Sequence, residues 1–277
     1  MTKRANVATE YQTGLTMAQK ADPHELYELS VQSVEDEVEF LEATYLAIRR
    51  RKPRVLREDF CGTAHAACEW VRTGATREAI AVDIEASVLE WGKARHYAKL
   101  PAGAKKRIDF IHDNVLNVRS SGVDILVAFN FSYWTFKTRD ALRDYFRAAR
   151  ESLGDDGLFF VDLFGGSEAF EETKEKTKHD DFTYIWDQAK YDPVTGDYVC
   201  HIHFRFPDGS KLKKAFTYHW RLWTVPEVRE LLAEAGFSRS TVYWEGVDED
   251  GEGNGEYEPV ESGEADPAWI AYVVAEK

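Results

Sequence analysis

The stretch Arg54–Val71, RVLREDFCGTAHAACEWV, reads as a strand that runs into a one-glycine turn and then a helix. Such a unit is the usual cradle for a nucleotide-like cofactor, because backbone N–H groups at the helix start face a ligand above the strand end. Its turn holds a single glycine, Gly62, where dinucleotide cradles usually carry three. Two acids, Glu58 and Asp59, precede it.

The same rhythm continues on both sides. Upstream, Val34, Val38, Leu41, Tyr45 and Ile48 recur at helical steps, with Ser33 as the expected cap and Glu35, Asp36 and Glu37 at the positive end. Downstream, AIAVD (79–83), RIDFIH (107–112), VDILVAF (123–129) and LFFVDLF (158–164) read as strands. Helical segments over 63–73, 86–100 and 140–153 separate them, and GDDG (154–157) reads as a turn. Alternating strands and helices imply right-handed crossovers and a mainly parallel sheet covered on both faces.

After Gly165-Gly166 the pattern changes. Turn signals at 193–196 and 207–209, flanked by alternating aromatic and β-branched residues, predict antiparallel strands. A helix opened by Pro226 and two strands, STVYWE (240–245) and AWIAYVVA (268–275), close the chain. Between those strands, residues 246–267 carry many acids and no Lys or Arg, and read as a long surface loop. The expected divisions are an N-terminal lid and helix (1–53), a cofactor-binding core (54–164), a substrate-covering β insertion (165–223) and a completing helix and strand pair (224–277). The expected fold class is α/β: a Rossmann-like seven-stranded, mostly parallel sheet with helices on both faces, plus the antiparallel β insertion over the active site.

Bulk numbers exclude several classes. Hydrophobic residues at 44% and charged residues at 30% describe an ordinary globular chain. With 49 acids against 35 bases, the net charge of −14 disfavours nucleic acid, which binds through clustered Lys and Arg. Cys61, Cys68 and Cys200 form neither a CxxC pair nor a zinc-like spacing, so the expectation is a reducing, cytoplasmic setting and no metal. Neither a signal peptide nor an apolar run of membrane-spanning length is expected.

The acids of the first turn choose between cofactors. An open parallel sheet binds ligands at the carboxyl ends of its strands, and Asp83, 21 residues after Gly62, stands where an acid accepts ribose hydroxyls. That suits NAD and S-adenosylmethionine alike. Glu58 and Asp59 beside a pyrophosphate would repel it, whereas a sulfonium ligand bearing an ammonium group would be attracted. Phe60 and Ala64 would also hinder the close approach that a pyrophosphate needs.

The series VLREDFCGTA, AVDIE, HDNVLNV and DILVAFNFSYW resembles the ordered blocks of class I S-adenosylmethionine-dependent methyltransferases. Cys61-Gly62-Thr63 matches the family's Cys-Gly-Thr core, while Phe60 and Ala64 replace its usual glycines. The resemblance implies that Glu58 and Gly62, with Cys61 in the turn, hold the methionine end. It further implies Asp83 on the ribose, Ile84 on the adenine, and Asp113 accepting from the adenine amino group beside Asn114 and Val115. Asn130 and Phe131 would line the boundary between cofactor and substrate. Arg57 flanks the turn and counts as a further cofactor contact, although the family pattern assigns it no role. Tyr11 and Tyr27 would reach the cofactor from the N-terminal segment. Asp83 could instead cap a helix, and Asp113 could be a turn acid.

Methyl transfer needs an aligned nucleophile in a dry pocket, and the aromatic insertion supplies candidate walls. Tyr133, His201 and His219 are the candidate catalytic groups; Trp134, Asp162, Tyr191, Tyr218 and Arg221 are the candidate substrate contacts. Arg221 would clamp a carboxylate or phosphate, unless it pairs with a local acid. The expected activity is N- or O-methylation of a small molecule, with no nucleic-acid or membrane partner. Two alternatives stand beside it: a non-methylating transferase on the same fold, and a cofactor-binding module without catalysis.

Overall fold

The computed structural model describes residues 14–247 and 253–277. The N-terminal helices are α1 (Met17–Lys20), α2 (Pro23–Val31) and α3 (Val34–Arg49). The alternating part follows as β1 (Val55–Asp59), α4 (His65–Thr73), β2 (Glu78–Asp83), α5 (Ala86–Arg95), α6 (Ala102–Lys105), β3 (Ile108–His112), β4 (Val123–Ala128), α7 (Arg139–Ser152) and β5 (Leu153–Gly165). Next come β6 (Lys174–Lys178), β7 (Thr183–Tyr191), β8 (Asp197–Arg205) and β9 (Lys211–Arg221). The chain ends with α8 (Val225–Glu234), β10 (Arg239–Val247), β11 (Gly253–Val260) and β12 (Trp269–Glu276).

The main sheet has eight strands in the order β11-β10-β12-β5-β4-β1-β2-β3. Strands β1 to β5 run parallel, and β12, β10 and β11 join antiparallel. All six residues of β4 are buried, as expected for a central strand covered on both faces. One face packs Val38, Leu41, Tyr45, Trp70, Val71 and Leu89 from α3, α4 and α5 against the sheet. The other packs Leu142, Tyr145, Phe146, Val228, Leu231 and Leu232 from α7 and α8. The parallel order reverses between β1 and β4, so the crevice above their carboxyl ends is the natural ligand site.

Three local expectations change. Residues 246–267 are not all loop: Tyr257 packs on Tyr272 and Phe40, and β11 adds an eighth strand to the expected seven. Only Tyr257 and Val260 of β11 are partly covered and its other residues are exposed, so this edge strand carries no alternating apolar signal. Lys174–Lys178, in the charged stretch SEAFEETKEKTKHDD (167–181), forms edge strand β6 with all five residues exposed. Ser33 occupies the cap position of α3, but its hydroxyl donates to Asp36 and caps no amide.

Strands β6 to β9 form a separate four-stranded antiparallel sheet in that order. Cross-strand partners put Tyr184, Trp186, Gln188, Cys200, Ile202 and Tyr218 on one face, and Ile185, Asp187, His201, His203 and Thr217 on the other. The aromatic face turns toward the carboxyl ends of β4 and β5 and the amino end of β12.

Candidate cofactor and substrate site

The first turn is built from left-handed backbone. Phe60, Gly62 and Ala64 have φ of 55°, 52° and 54°. Glycine is the natural residue in this region, yet Phe60 and Ala64 adopt the same conformation here. Phe60 turns away from the crevice and packs edge-on against Phe136 and Tyr145. A Cβ added to Gly62 would meet nothing within 4 Å, so the space above the turn is open.

The turn is fastened from three sides. Glu58, almost fully buried, accepts the Ala67 amide at 2.9 Å and supplies the helix-start acceptor that Ala64 lacks. Asp83 accepts from the Gly62 amide at 2.7 Å and the Glu85 amide at 2.8 Å, a turn-bracing role beside any ribose role. Gly92 of α5 lies against the Thr63 carbonyl so closely that a Cβ would sit 1.9 Å from its oxygen. Burial, with Glu37, Asp83 and Asp59 nearby, pushes the Glu58 carboxyl up to about 8.

The residue next to Asp83, Ile84, is 58% exposed, an apolar side chain held at the sheet edge. Asp113 is exposed and accepts from the Asn114 amide and the Asn117 side chain, which hold it below the usual carboxylate range. Val115 is buried beneath it. An open turn, buried acids and an exposed apolar platform fit a cationic nucleoside ligand. Tyr11 lies outside the described residues.

Arg57 is a correction. It is buried, with its guanidinium bonded to Asp59 at 2.7 Å, Ser152, Ser120 and the carbonyls of Val115 and Val118. Every donor faces the core, so it offers nothing to a cofactor. Its partner Asp59 also takes the Tyr145 hydroxyl, and of the two turn acids only Glu58 has no base paired with it. The charge argument from the sequence therefore rests on Glu58 alone.

Beside this turn lies a cavity of about 530 Å³, within the range of small-molecule sites. Its floor is Phe129, Asn130, Phe131, Asp162 and Phe164 at the ends of β4 and β5. Its walls are Tyr27 and Glu37 from the N-terminal helices, Tyr184, Trp186, Tyr218 and Trp220 from the antiparallel sheet, and Tyr257, Trp269 and Tyr272 from the last strands. Asp162 accepts the amides of Asn130 and Phe131 at 2.7 and 2.9 Å, and so holds two consecutive left-handed residues in place. Burial pushes Asp162 up to about 7. It also pushes Glu37 up to about 7, with Asp162 adding to the shift.

The cavity admits some of the expected residues and leaves others out. Tyr27, Asn130, Phe131, Asp162 and Tyr218 line it. His201 and His219 do not, because strand alternation puts Ile202, Tyr218 and Trp220 inward and the histidines on the opposite face. His201 instead bonds Thr217. Tyr133 is buried in the core against Phe146, and Trp134 packs under Phe131, Phe164 and Trp220. Tyr191 packs on Phe170 and Tyr198, away from the lining. Arg221 pairs with Glu227 at 2.9 Å and lies over Trp223, which is the local pairing weighed against a substrate clamp.

Two groups escape a linear reading. Glu37 falls three residues after Val34 and four before Leu41, an acid on the apolar stripe of α3; that misplacement is the signal that marks it. Glu28, His65 and His96 come from three separate elements, with ligand-type atoms all within 4.8 Å of one another. Glu28 accepts from Thr63 at 2.6 Å and bonds His96 at 2.7 Å, tying α2 to the first turn.

Comparison with solved structures extends over nearly the whole chain. A S-adenosylmethionine-dependent methyltransferase from Clostridium acetobutylicum matches with TM-score 0.65 at 14% identity, covering 91% of this chain and 96% of that one. The chain has the fold of S-adenosylmethionine-dependent methyltransferases. The amino pentose methyltransferase CalS10 of Micromonospora echinaspora, solved with bound S-adenosylmethionine, matches this fold with TM-score 0.61 at 15% identity, over 92% and 96% of the two chains. The sugar N-methyltransferase KedS8 of a Streptoalloteichus species matches with TM-score 0.60 at 13% identity, over 100% and 99%. No family sequence model and no curated protein sequence matches the chain. Among the described residues, no helix is long and apolar enough to cross a membrane.

Proposed function

We propose that the protein is an S-adenosylmethionine-dependent methyltransferase that modifies a small molecule at nitrogen or oxygen. The observation that carries this reading is the juxtaposition, at the reversal in strand order, of the open acidic turn and an aromatic cavity of about 530 Å³.

When bound, S-adenosylmethionine supplies a methyl group made electrophilic by its sulfonium. Around it, Glu58 presents a carboxylate to the ammonium of the methionine end, and the open Gly62 turn lets the chain approach. Asp83 keeps acceptor capacity for ribose hydroxyls beyond the two amides it braces. Ile84 offers its exposed side chain to the adenine, with Asp113 at the rim. On the other side, Asn130 and Phe131 hold the boundary of the substrate cavity. The aromatic walls exclude water and orient the acceptor, which is the main protein contribution to an in-line displacement. Reduced Cys61, Cys68 and Cys200, all free and buried, fit a reducing compartment such as the cytoplasm.

The test is incubation with methyl-labelled S-adenosylmethionine and a panel of small amines and alcohols. Label in a small-molecule product with release of S-adenosylhomocysteine is expected. Label confined to the unreacted donor across the panel, with no affinity for S-adenosylhomocysteine, would overturn the reading.

A further inference from the structure

Five acids line the substrate cavity, Glu37, Asp162, Glu168, Glu175 and Glu245, and among the described residues that form it there is no Lys, Arg or His. Glu168 and Glu175 are exposed, and buried acids are matched with a base or a backbone amide, Asp162 by the amides of Asn130 and Phe131. Asp124 takes two amides and Arg51, and Asp187 takes Lys174 and His203. Glu37 differs. Among the described residues no side chain hydrogen-bonds its carboxylate, and the Ser33 amide is its one favourable neighbour. It lies far from bulk solvent, yet retains accessible surface because that surface faces the cavity.

The walls around it are π faces. Tyr218 and Trp220 stack with centroids 4.3 Å apart, and Trp186 lies 6.2 and 6.3 Å from them. Tyr27, Tyr257 and Tyr272 complete the ring of aromatics toward Glu37 and Asp162. Aromatic faces attract cations, most strongly where water is excluded, and a carboxylate among them adds a directional acceptor. A neutral or anionic guest would leave Glu37 without a partner or repel it.

We propose that the cavity selects a small organic amine, bound as its ammonium, with Glu37 as the acceptor for the N–H⁺ group. This deepens the methyltransferase reading and rests on it. Within the site, Glu37 accepts one proton from the ammonium: the N–H bond breaks, the O–H bond forms, and the nitrogen keeps its electron pair. The product is a neutral amine facing the boundary at Asn130 and Phe131. The Glu37 carboxyl, held up near 7, is a stronger base than an exposed glutamate and suits that transfer.

The test uses the whole protein and the indole fluorescence of Trp186, Trp220 and Trp269 in the cavity wall. Phenethylamine, N-methylphenethylamine and cyclohexylmethylamine are titrated against 2-phenylethanol, cyclohexylmethanol and phenylacetate. At least tenfold preference for the amines over their alcohol isosteres, with no binding of phenylacetate, is expected. Glu37→Gln should abolish that preference while S-adenosylhomocysteine still binds saturably, which also reports that the variant is folded. Absence of amine preference in the wild-type protein, or its persistence in Glu37→Gln, overturns the proposal. Failure to bind S-adenosylhomocysteine would instead overturn the methyltransferase reading, so the two failures are distinguishable.

Discussion

At the residue scale, Glu58 shows how one carboxyl serves both fold and site. It caps α4 through Ala67, and burial raises it to about 8, so it is largely protonated in the free protein at neutral pH. An ammonium bound beside it favours the charged form. Affinity for S-adenosylhomocysteine is therefore expected to fall as pH drops below about 8, by up to about tenfold per pH unit, with proton release on binding. Titration calorimetry in buffers of different ionisation enthalpy checks this; pH-independent affinity without proton release would remove Glu58 from the ammonium role. Asp83→Ala should weaken the same ligand by about 2 kcal/mol, roughly thirtyfold, because hydrogen bonds to a charged acceptor are lost. Arg57 and Asp59 belong to the core instead, 1% and 0% exposed at the side chain. Asp59→Asn strands the buried guanidinium and should cost about 3–5 kcal/mol in chemical denaturation, whatever the cofactor.

At the element scale, the packing of α5 on the first turn makes a sharp test. Gly92→Ala drives a methyl into the Thr63 carbonyl and should destabilise the fold by about 1–3 kcal/mol while shifting the first turn, the proposed cofactor cradle. Thermal unfolding, with and without S-adenosylhomocysteine, reads both effects; unchanged stability would contradict the close approach. The elements differ in how legible they are in the sequence. Strand β4 is buried at all six residues, as a central parallel strand requires, and α3 carries an apolar stripe that only Glu37 interrupts, so both are readable. Strands β6 and β11 lie at sheet edges, where charged residues are tolerated and the alternating signal fades. The site divides similarly. Glu58, Asp83 and Ile84 lie at or just past the ends of β1 and β2 and are found by counting along the chain. The facing of His201, His219 and Tyr218 depends on the register of β8 and β9, which is set by tertiary packing. Glu37 was legible in principle, since an acid at a core-facing step of a helix needs a reason.

At the scale of the whole molecule, the acids carry a stability signature. Glu37, Glu58 and Asp162 sit at about 7, 8 and 7, above their unfolded values near 4. Between those limits the folded protein binds more protons than the unfolded one, so stability falls as pH rises from about 4.5 to about 8. Below about 4 the opposite group takes over: Asp22, Glu42, Asp124 and Asp187 are held low by their partners and lose stability as they protonate. The melting temperature of the free protein is expected to peak in mild acid. Glu37→Gln should raise it at pH 8 by about 2–4 °C, reflecting on the order of 1 kcal/mol of relieved desolvation. No rise would mean that the carboxyl is solvated after all. Under the proposed function, that cost of the empty state is recovered when a cationic occupant binds on either side of the crevice. The most direct measurement of the central claim is therefore a calorimetric titration of the wild-type chain with S-adenosylhomocysteine, and in parallel with NADH. Saturable binding of S-adenosylhomocysteine that Asp83→Ala weakens, with no binding of NADH, is the predicted result; NADH binding with no S-adenosylhomocysteine binding would contradict it.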